Sequence, residues 1–284
     1  IAFGKLGSRE LTFNSDLDLV FVYDIPEDVF SLKGSGSSAN PSSYFLRLAG
    51  KLVYALSSIS RTGKLYEVDL RLRPFGESGP IAASLDNFNN YYRPEKKQGS
   101  AWIWEYMALT RARVISTYPK FAYQVTEEIK DKLYHKWDDE VLFREAQYIY
   151  TKYRENKKAS NYLDVKDAIG GLFDLQFMLR FLQLKYMDKY PEIYSTGTQQ
   201  AAEFLFKSGV ITEDEYKMAL EVYELYMHVQ NIVGLASDKS ITEYMEKVIC
   251  RILEINSREE LKKKLDYSKS EVKKMFDRYL NFEN

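Results

Sequence analysis

Two aspartates spaced two residues apart at the start of an apolar run constrain this chain more than any other feature. Asp16 and Asp18 enclose Leu17, and the sequence continues Leu19-Val20-Phe21-Val22. We predict a strand over residues 16–23, in which both carboxylates share one face and Leu17, Leu19 and Phe21 occupy the opposite, buried face. Two like charges on a largely buried strand repel each other and lose hydration. A divalent cation relieves both penalties, and Mg²⁺ is the predicted ion because it binds carboxylates together with substrate phosphates.

A glycine-serine turn lies just upstream, within Gly4-Lys5-Leu6-Gly7-Ser8. Glycine allows backbone N–H groups to approach a phosphate closely, and a serine hydroxyl adds a donor. We therefore predict that Gly7 and Ser8 contact the phosphates of a nucleotide. A Gly-Ser turn followed by Asp-x-Asp on a strand is the pattern of the nucleotidyltransferase superfamily.

A third carboxylate stands in a later segment that alternates between apolar and charged residues. This alternation predicts a half-buried strand over residues 65–72, with Asp69, Arg71 and Arg73 on its charged face. Asp69 would be the third ligand of a two-metal site, in which ions ~3.5–4 Å apart hold the attacking and leaving oxygens of an in-line displacement. The two arginines suit bidentate phosphate contacts. From this segment alone, a solvated strand face remains an alternative.

Composition excludes several other classes. The chain has 284 residues, 45% of them hydrophobic, and a net charge of −1, which supports a core and gives no electrostatic case for nucleic-acid binding. No apolar run approaches the ~20 residues of a membrane helix, and no signal peptide precedes Ile1. The single cysteine, Cys250, is typical of a reducing, cytoplasmic protein. Since the chain does not begin with Met, we expect it to be part of a longer protein.

Local signals divide the chain into two parts. Strands are predicted over residues 1–5, 16–23 and 65–72, with a Ser- and Gly-rich loop over 31–43 and a helix starting at Pro41. From about Asn87 onward the pattern is helical, is broken at Gly170-Gly171, and shows capping boxes that start at Thr212, Ser257 and Ser268. We predict an α+β fold, with a mixed-sheet head over residues 1–118 and an all-α helical bundle over residues 119–284.

Four blocks together resemble the glutamine synthetase adenylyltransferase family, the two-headed bacterial enzyme that attaches AMP to glutamine synthetase and removes it. They cover residues 4–24, 66–80, 101–115 and 164–177, in family order. The resemblance implies a polymerase-beta-like nucleotidyltransferase head that uses ATP and Mg²⁺, with Asp16, Asp18 and Asp69 as catalytic carboxylates and metal ligands. The fourth block departs from the family pattern, because Gln176 stands where glutamate is usual.

The implied reaction is Mg-dependent transfer of AMP from ATP to a tyrosine hydroxyl of glutamine synthetase, with release of pyrophosphate. The block at 101–115 favours the C-terminal, adenylylating head, whereas Phe75–Pro80 is more typical of the phosphorolytic, AMP-removing head. A third alternative is a non-catalytic module that docks a PII-type signalling protein. Lys166 is predicted either to reach the nucleotide, as the family implies, or to form a surface salt bridge.

Overall fold

The computed structural model describes residues 1–13, 15–25, 41–61, 63–94, 101–235 and 243–282. They form two compact units, Ile1–Leu11 with Ser15–His135 and Thr12–Asn14 with Lys136–Asn284. This division lies after His135, and the helix Pro119–Leu133, which packs against the helix Ile103–Leu109, belongs to the first unit. The domain boundary expected near residue 118 stays a prediction. Most of the predicted Ser- and Gly-rich loop lies outside the described residues.

The first unit combines short strand pairs with helices, so the chain is α+β. Strand β1 (Leu17–Asp18) pairs in parallel with β5 (Val68–Asp69), β2 (Phe21–Tyr23) pairs in parallel with β6 (Ala82–Ser84), and β3 (Ile59–Ser60) pairs antiparallel with β4 (Gly63–Lys64). Its helices are α1 (Gly4–Gly7), α2 (Pro41–Ser57), α3 (Leu85–Tyr91), α4 (Ile103–Leu109) and α5 (Pro119–Leu133).

The strands are shorter than the sequence pattern predicts. Residues 16–23 form two strands with different partners, and between them Leu19 bridges to Ala2. The strand predicted over residues 1–5 is wrong, because the backbone turns into α1 at Gly4, where φ is +52°. Within 65–72 only Val68–Asp69 is a strand, and Tyr66, which the alternation assigned to the buried face, is 38% exposed.

The described part of the second unit is helical, as predicted. Helix α7 (Leu172–Tyr186) lies at its centre, with most of its side chains buried, and other helices of this unit pack against it. The predicted break at Gly170-Gly171 is confirmed, since α7 starts directly after Gly171. The helices are α6 (Asp139–Asn156), α7 (Leu172–Tyr186), α8 (Thr198–Lys207), α9 (Glu213–Gly234), α10 (Glu243–Ile252) and α11 (Arg258–Tyr279).

Two of the three predicted helix starts are confirmed. The Thr212 hydroxyl accepts a hydrogen bond from the Glu215 N–H at the start of α9, and Ser257 caps α11 through the Glu260 N–H. The start predicted at Ser268 is wrong, because this serine is buried inside α11, which runs unbroken to Tyr279. None of the helices in the described residues is both long and apolar enough to cross a membrane.

Candidate active site

Two of the three predicted carboxylates are brought together by strand pairing. In the parallel pair β1–β5, Asp18 lies directly opposite Asp69. The register is held by backbone hydrogen bonds, from Leu17 N to Glu67 O at 2.8 Å and from Leu19 N to Asp69 O at 2.9 Å. Directly paired residues on neighbouring strands present their side chains on one face of the sheet. The backbone alone therefore places two acidic side chains side by side.

The pKa of the Asp18 carboxyl reflects the nearby negative charges. Burial raises the pKa of the Asp18 carboxyl above its usual range, and the negative charges of Asp69 and Asp16 raise it further. Arg111 and Arg71 oppose the increase. Asp16 itself is exposed and lies immediately before β1. The other two carboxylates predicted from the sequence, Asp16 and Asp69, therefore both act electrostatically on Asp18.

Asp69 differs from Asp18 because it has a cationic partner. The Arg71 side chain donates from Nε to Asp69 Oδ2 at 2.8 Å and from Nη2 to the same oxygen, while the Arg71 backbone N–H donates to Oδ1 at 2.8 Å. The hydrogen bond from the Arg71 side chain lowers the pKa of the Asp69 carboxyl, although burial opposes it. The Arg71 side chain is 73% exposed, whereas that of Asp69 is 18% exposed. The guanidinium thus stands on the solvent side of the carboxylate.

The donor set fits a hard cation. Mg²⁺ uses one or two carboxylates and completes its shell with water and substrate phosphates, and Asp18 and Asp69 supply two neighbouring carboxylates whose mutual repulsion a cation would relieve. In the described residues, however, no three His, Cys, Asp or Glu side chains are grouped so that they could hold one ion. Arg71 now supplies positive charge to Asp69, so a cation that uses Asp69 requires this guanidinium to turn away.

The glycine-serine turn is a short helix and not an open loop. In α1 the Gly7 N–H donates to Phe3 O at 2.8 Å and the Ser8 N–H donates to Gly4 O at 3.1 Å. The Ser8 hydroxyl also donates to Gly4 O, at 2.7 Å. The amides predicted to meet phosphate are therefore engaged within the turn. Gly4 has a second role, since a Cβ placed on it would lie 2.0 Å from Asp18 Oδ2.

Arg111 belongs to this site, and the sequence analysis did not assign it. Its Nε and Nη2 atoms donate to the Ser8 hydroxyl at 3.0 and 2.6 Å, and Nη2 also pairs with Glu10 at 2.9 Å. Its positive charge lowers the pKa of Asp18. The only signal in the sequence was its position in the third family block, because the contact joins residues 103 positions apart.

Arg113, two residues later, donates hydrogen bonds to the same turn. Its Nε donates to Gly7 O at 3.0 Å and its Nη2 donates to Leu6 O at 2.8 Å. These are the last carbonyl groups of α1, which a cationic side chain commonly satisfies. The two arginines of the third block therefore tie α1 and the residues after it to the segment that follows α4.

Arg73 is engaged with its own loop. Its guanidinium donates to the carbonyl oxygens of Leu70 at 2.9 Å, Gly79 at 3.1 Å and Glu77 at 3.3 Å. These bonds shape the turn after β5. The predicted phosphate contact of Arg73 stays a prediction, and it would require these bonds to open.

Lys166 and Gln176 lie in the second unit. Lys166 is exposed and makes no ion pair in the described part of the chain, so the salt-bridge alternative finds no support there. Its predicted contact with the nucleotide stays a prediction. Gln176, which stands at the family's usual glutamate position, donates from Nε2 to the Thr198 hydroxyl at 3.1 Å.

Comparisons with known families match both units. A family model described as glutamate-ammonia ligase adenylyltransferase matches residues 1–128, and one described as GlnD PII-uridylyltransferase matches residues 143–280. The boundary between these matches agrees with the structural division after His135.

Curated relatives are similar along most of the chain, and the following three share the name bifunctional glutamine synthetase adenylyltransferase/adenylyl-removing enzyme. The Bradyrhizobium diazoefficiens protein is 33% identical over 97% of this chain and 28% of its own length. The Xanthobacter autotrophicus protein is 35% identical over 85% of this chain and 24% of its own length. The Rhodopseudomonas palustris BisB5 protein is 32% identical over 99% of this chain and 28% of its own length.

The chain therefore spans about a quarter of the length of these relatives. Each of its two units is matched by an adenylyl- or uridylyltransferase family model, and the first unit carries the neighbouring carboxylates Asp18 and Asp69. By these similarities, the chain carries a glutamate-ammonia ligase adenylyltransferase domain over residues 1–128 and is similar along most of its length to curated glutamine synthetase adenylyltransferases.

Proposed function

We propose that the first unit is a nucleotidyltransferase head that transfers AMP from ATP to a tyrosine hydroxyl of glutamine synthetase and releases pyrophosphate. The observation that carries this proposal is the direct pairing of Asp18 with Asp69 on adjacent parallel strands. Placing two carboxylates together on a partly buried face is costly, and a bound cation offsets that cost. The names of the curated relatives supply the reaction class and the protein substrate.

In this proposal Asp16, Asp18 and Asp69 would hold Mg²⁺, which requires the exposed Asp16 side chain to turn toward the other two, because no three such side chains of the described residues are grouped around one point. The bound ion would neutralise the triphosphate and align it for in-line displacement. Arg71 releases Asp69 and turns its guanidinium toward phosphate, for which its high exposure leaves room. Arg111 holds the Ser8 hydroxyl and Glu10, and so keeps α1 in place beside Asp18.

The reaction requires little covalent chemistry from the protein itself. The tyrosine hydroxyl releases its proton to solvent as its oxygen attacks the α-phosphorus of ATP, and the bond from that phosphorus to the pyrophosphate oxygen breaks. Transfers of this type depend on positioning and on neutralising charge. The carboxylate pair and the surrounding arginines are suited to both tasks, and no histidine is required.

A direct test incubates the chain with labelled ATP, Mg²⁺ and unmodified glutamine synthetase. We expect one added AMP by mass analysis and release of pyrophosphate. Asp16→Asn and Asp18→Asn should abolish transfer. Glu67→Ala should lower transfer only mildly, because Glu67 is exposed and its ion pair among the described residues is with Lys64. Wild-type turnover in either asparagine variant would contradict the metal assignment.

The AMP-removing head is the second candidate, and the turn Phe75–Pro80 favours it. In that turn Phe75 adopts the left-handed conformation with φ of +64°, and the Arg73 guanidinium binds the carbonyl oxygens of Glu77 and Gly79. Incubation of AMP-modified glutamine synthetase with orthophosphate distinguishes the two heads. Phosphorolysis faster than adenylylation would assign this chain to the removing head and leave the carboxylate site unchanged.

A non-catalytic module is the remaining alternative. We infer that a PII-type signalling protein is a partner of the second unit, and the match of residues 143–280 to a family named for PII uridylylation supports this inference. A fold that binds PII but has no affinity for Mg–ATP would favour the module over both catalytic heads.

A further inference from the structure

A cavity of about 550 Å³ lies in the second unit. Small-molecule sites commonly have volumes of roughly 300–1,000 Å³ and combine aromatic surface with a few polar groups. Phe276 is buried, Tyr150 and Phe282 are half-buried, and these three rings contact one another with centroids 4.7 to 5.7 Å apart. The cavity thus offers a continuous aromatic wall.

A second wall comes from the fourth family block, through Asp167, Ala168 and Ile169. Arg154 holds this wall by donating to Asp167 O at 2.7 Å and to Ala168 O at 3.4 Å, and its guanidinium also pairs with Asp174. Asp174 is fully buried and accepts a hydrogen bond from the Gly170 N–H at 2.6 Å. The wall is therefore built by a fixed hydrogen-bond network and is present before any ligand arrives.

The cavity carries a surplus of positive charge. Four of its lining residues are cationic and two are acidic. Both acids have partners, since Asp277 accepts hydrogen bonds from Lys273 at 2.5 and 2.7 Å and Asp167 accepts one from the Tyr153 hydroxyl. Lys157 and Lys158 are exposed at the cavity and make no ion pair within the described residues.

We propose that this cavity binds a small planar molecule with an anionic group. The planar body packs against Tyr150 and Phe282, and the anionic group meets the ammonium groups of Lys157 and Lys158. All residues that line the cavity belong to the second unit, and the proposal goes beyond the adenylyl-transfer function.

The test uses two fluorescent probes that differ by one anionic group. These are 1-anilinonaphthalene-8-sulfonate and its neutral counterpart N-phenyl-1-naphthylamine. The double variant Lys157→Ala/Lys158→Ala should weaken binding of the sulfonate about threefold to tenfold, the range expected for two exposed charge pairs, and leave the neutral probe within about twofold. The control Lys263→Ala/Lys264→Ala removes the same charge from an exposed face of α11 and should change neither affinity.

Methyl NMR locates the bound probe. The Ile169 side chain lines the cavity, whereas Ile59 is 84% exposed in the first unit and reports adsorption elsewhere. We expect the sulfonate to shift the Ile169 methyl signal with the dissociation constant seen by fluorescence, and Ile59 to stay unchanged. Equal sulfonate affinity in both double variants, an unmoved Ile169 signal at saturation, or no binding at all would overturn the proposal.

Discussion

The close approach of Gly4 to Asp18 yields a prediction that tests the site geometry without any ligand. A Cβ on Gly4 would lie 2.0 Å from Asp18 Oδ2 and 3.0 Å from Asp18 Cγ. Contacts below 3.0 Å essentially never occur for real Cβ atoms, so the carboxylate must retreat by about 1 Å. Gly4→Ala should therefore damage both stability and the alignment of Asp18.

The expected magnitude has two parts. A non-glycine residue in the left-handed region costs about 1–2 kcal/mol, and forced overpacking costs about 1–3 kcal/mol. Gly4→Ala should therefore lower the free energy of unfolding by about 2–5 kcal/mol. Gly76→Ala is the matched control, because Gly76 has φ of +54° and its nearest neighbour would be 3.7 Å away. Gly76→Ala should lower the free energy of unfolding by only about 1–2 kcal/mol.

Urea denaturation followed by circular dichroism and tryptophan fluorescence measures these differences. Asp18→Ala removes the two nearest atoms and leaves Asp18 Cβ at 3.6 Å, an ordinary contact. In that background Gly4→Ala should cost no more than Gly76→Ala, so the coupling between positions 4 and 18 should be about 1–3 kcal/mol. If Gly4→Ala costs as much with Ala at position 18 as with Asp, the assigned contact is wrong.

Three further predictions concern the carboxylates. The folded-state pKa of the Asp18 carboxyl is raised, so its contribution to the free energy of unfolding is present at low pH and is lost as pH rises through that pKa. In EDTA, Asp18→Asn should therefore be more stable than wild type at pH 7 and equally stable near pH 3, as measured by urea titrations. Asp69→Ala should lose AMP transfer but retain Mg–ATP binding by calorimetry, and loss of nucleotide binding would assign Asp69 to the triphosphate metal. Arg71→Ala should raise affinity for Mg²⁺ without nucleotide, measured by the same method, and an unchanged affinity would show that the guanidinium does not compete.

The neighbouring carboxylates could be predicted from sequence because their placement depends on local alternation and strand pairing. Asp18 and Asp69 each end a two-residue strand, and the apolar residues beside them direct those strands into the unit. The predicted strand lengths were wrong, since length depends on which partner each segment finds. Phe21–Tyr23 pairs with Ala82–Ser84, a partner the sequence pattern did not indicate.

The arginines were harder to assign for the same reason. Arg71, Arg73 and Arg111 are equivalent as residue types, yet the structure gives each a different partner. Arg71 binds Asp69, Arg73 binds three carbonyl oxygens of its own loop, and Arg111 binds Ser8 and Glu10. Only the folded backbone decides which donor meets which acceptor, so alternation could identify the arginines but not divide them between phosphate contact and structural support.

The two central carboxylates also show why the site is prepared before a cation binds. Their register depends on backbone hydrogen bonds on both sides of β1. On one side Leu17 N and Leu19 N donate to Glu67 O and Asp69 O, and on the other side Phe3 N donates to Asp18 O at 2.9 Å. None of these bonds involves a carboxylate, so the charges at Asp18 and Asp69 can change while the strands stay in place. In the part of the chain that the structure describes, Arg71 is the cation paired with Asp69, and its side chain is highly exposed. Exchange of this guanidinium for a metal ion would therefore begin with rotation of an exposed side chain, while the backbone hydrogen bonds between the strands stay in place.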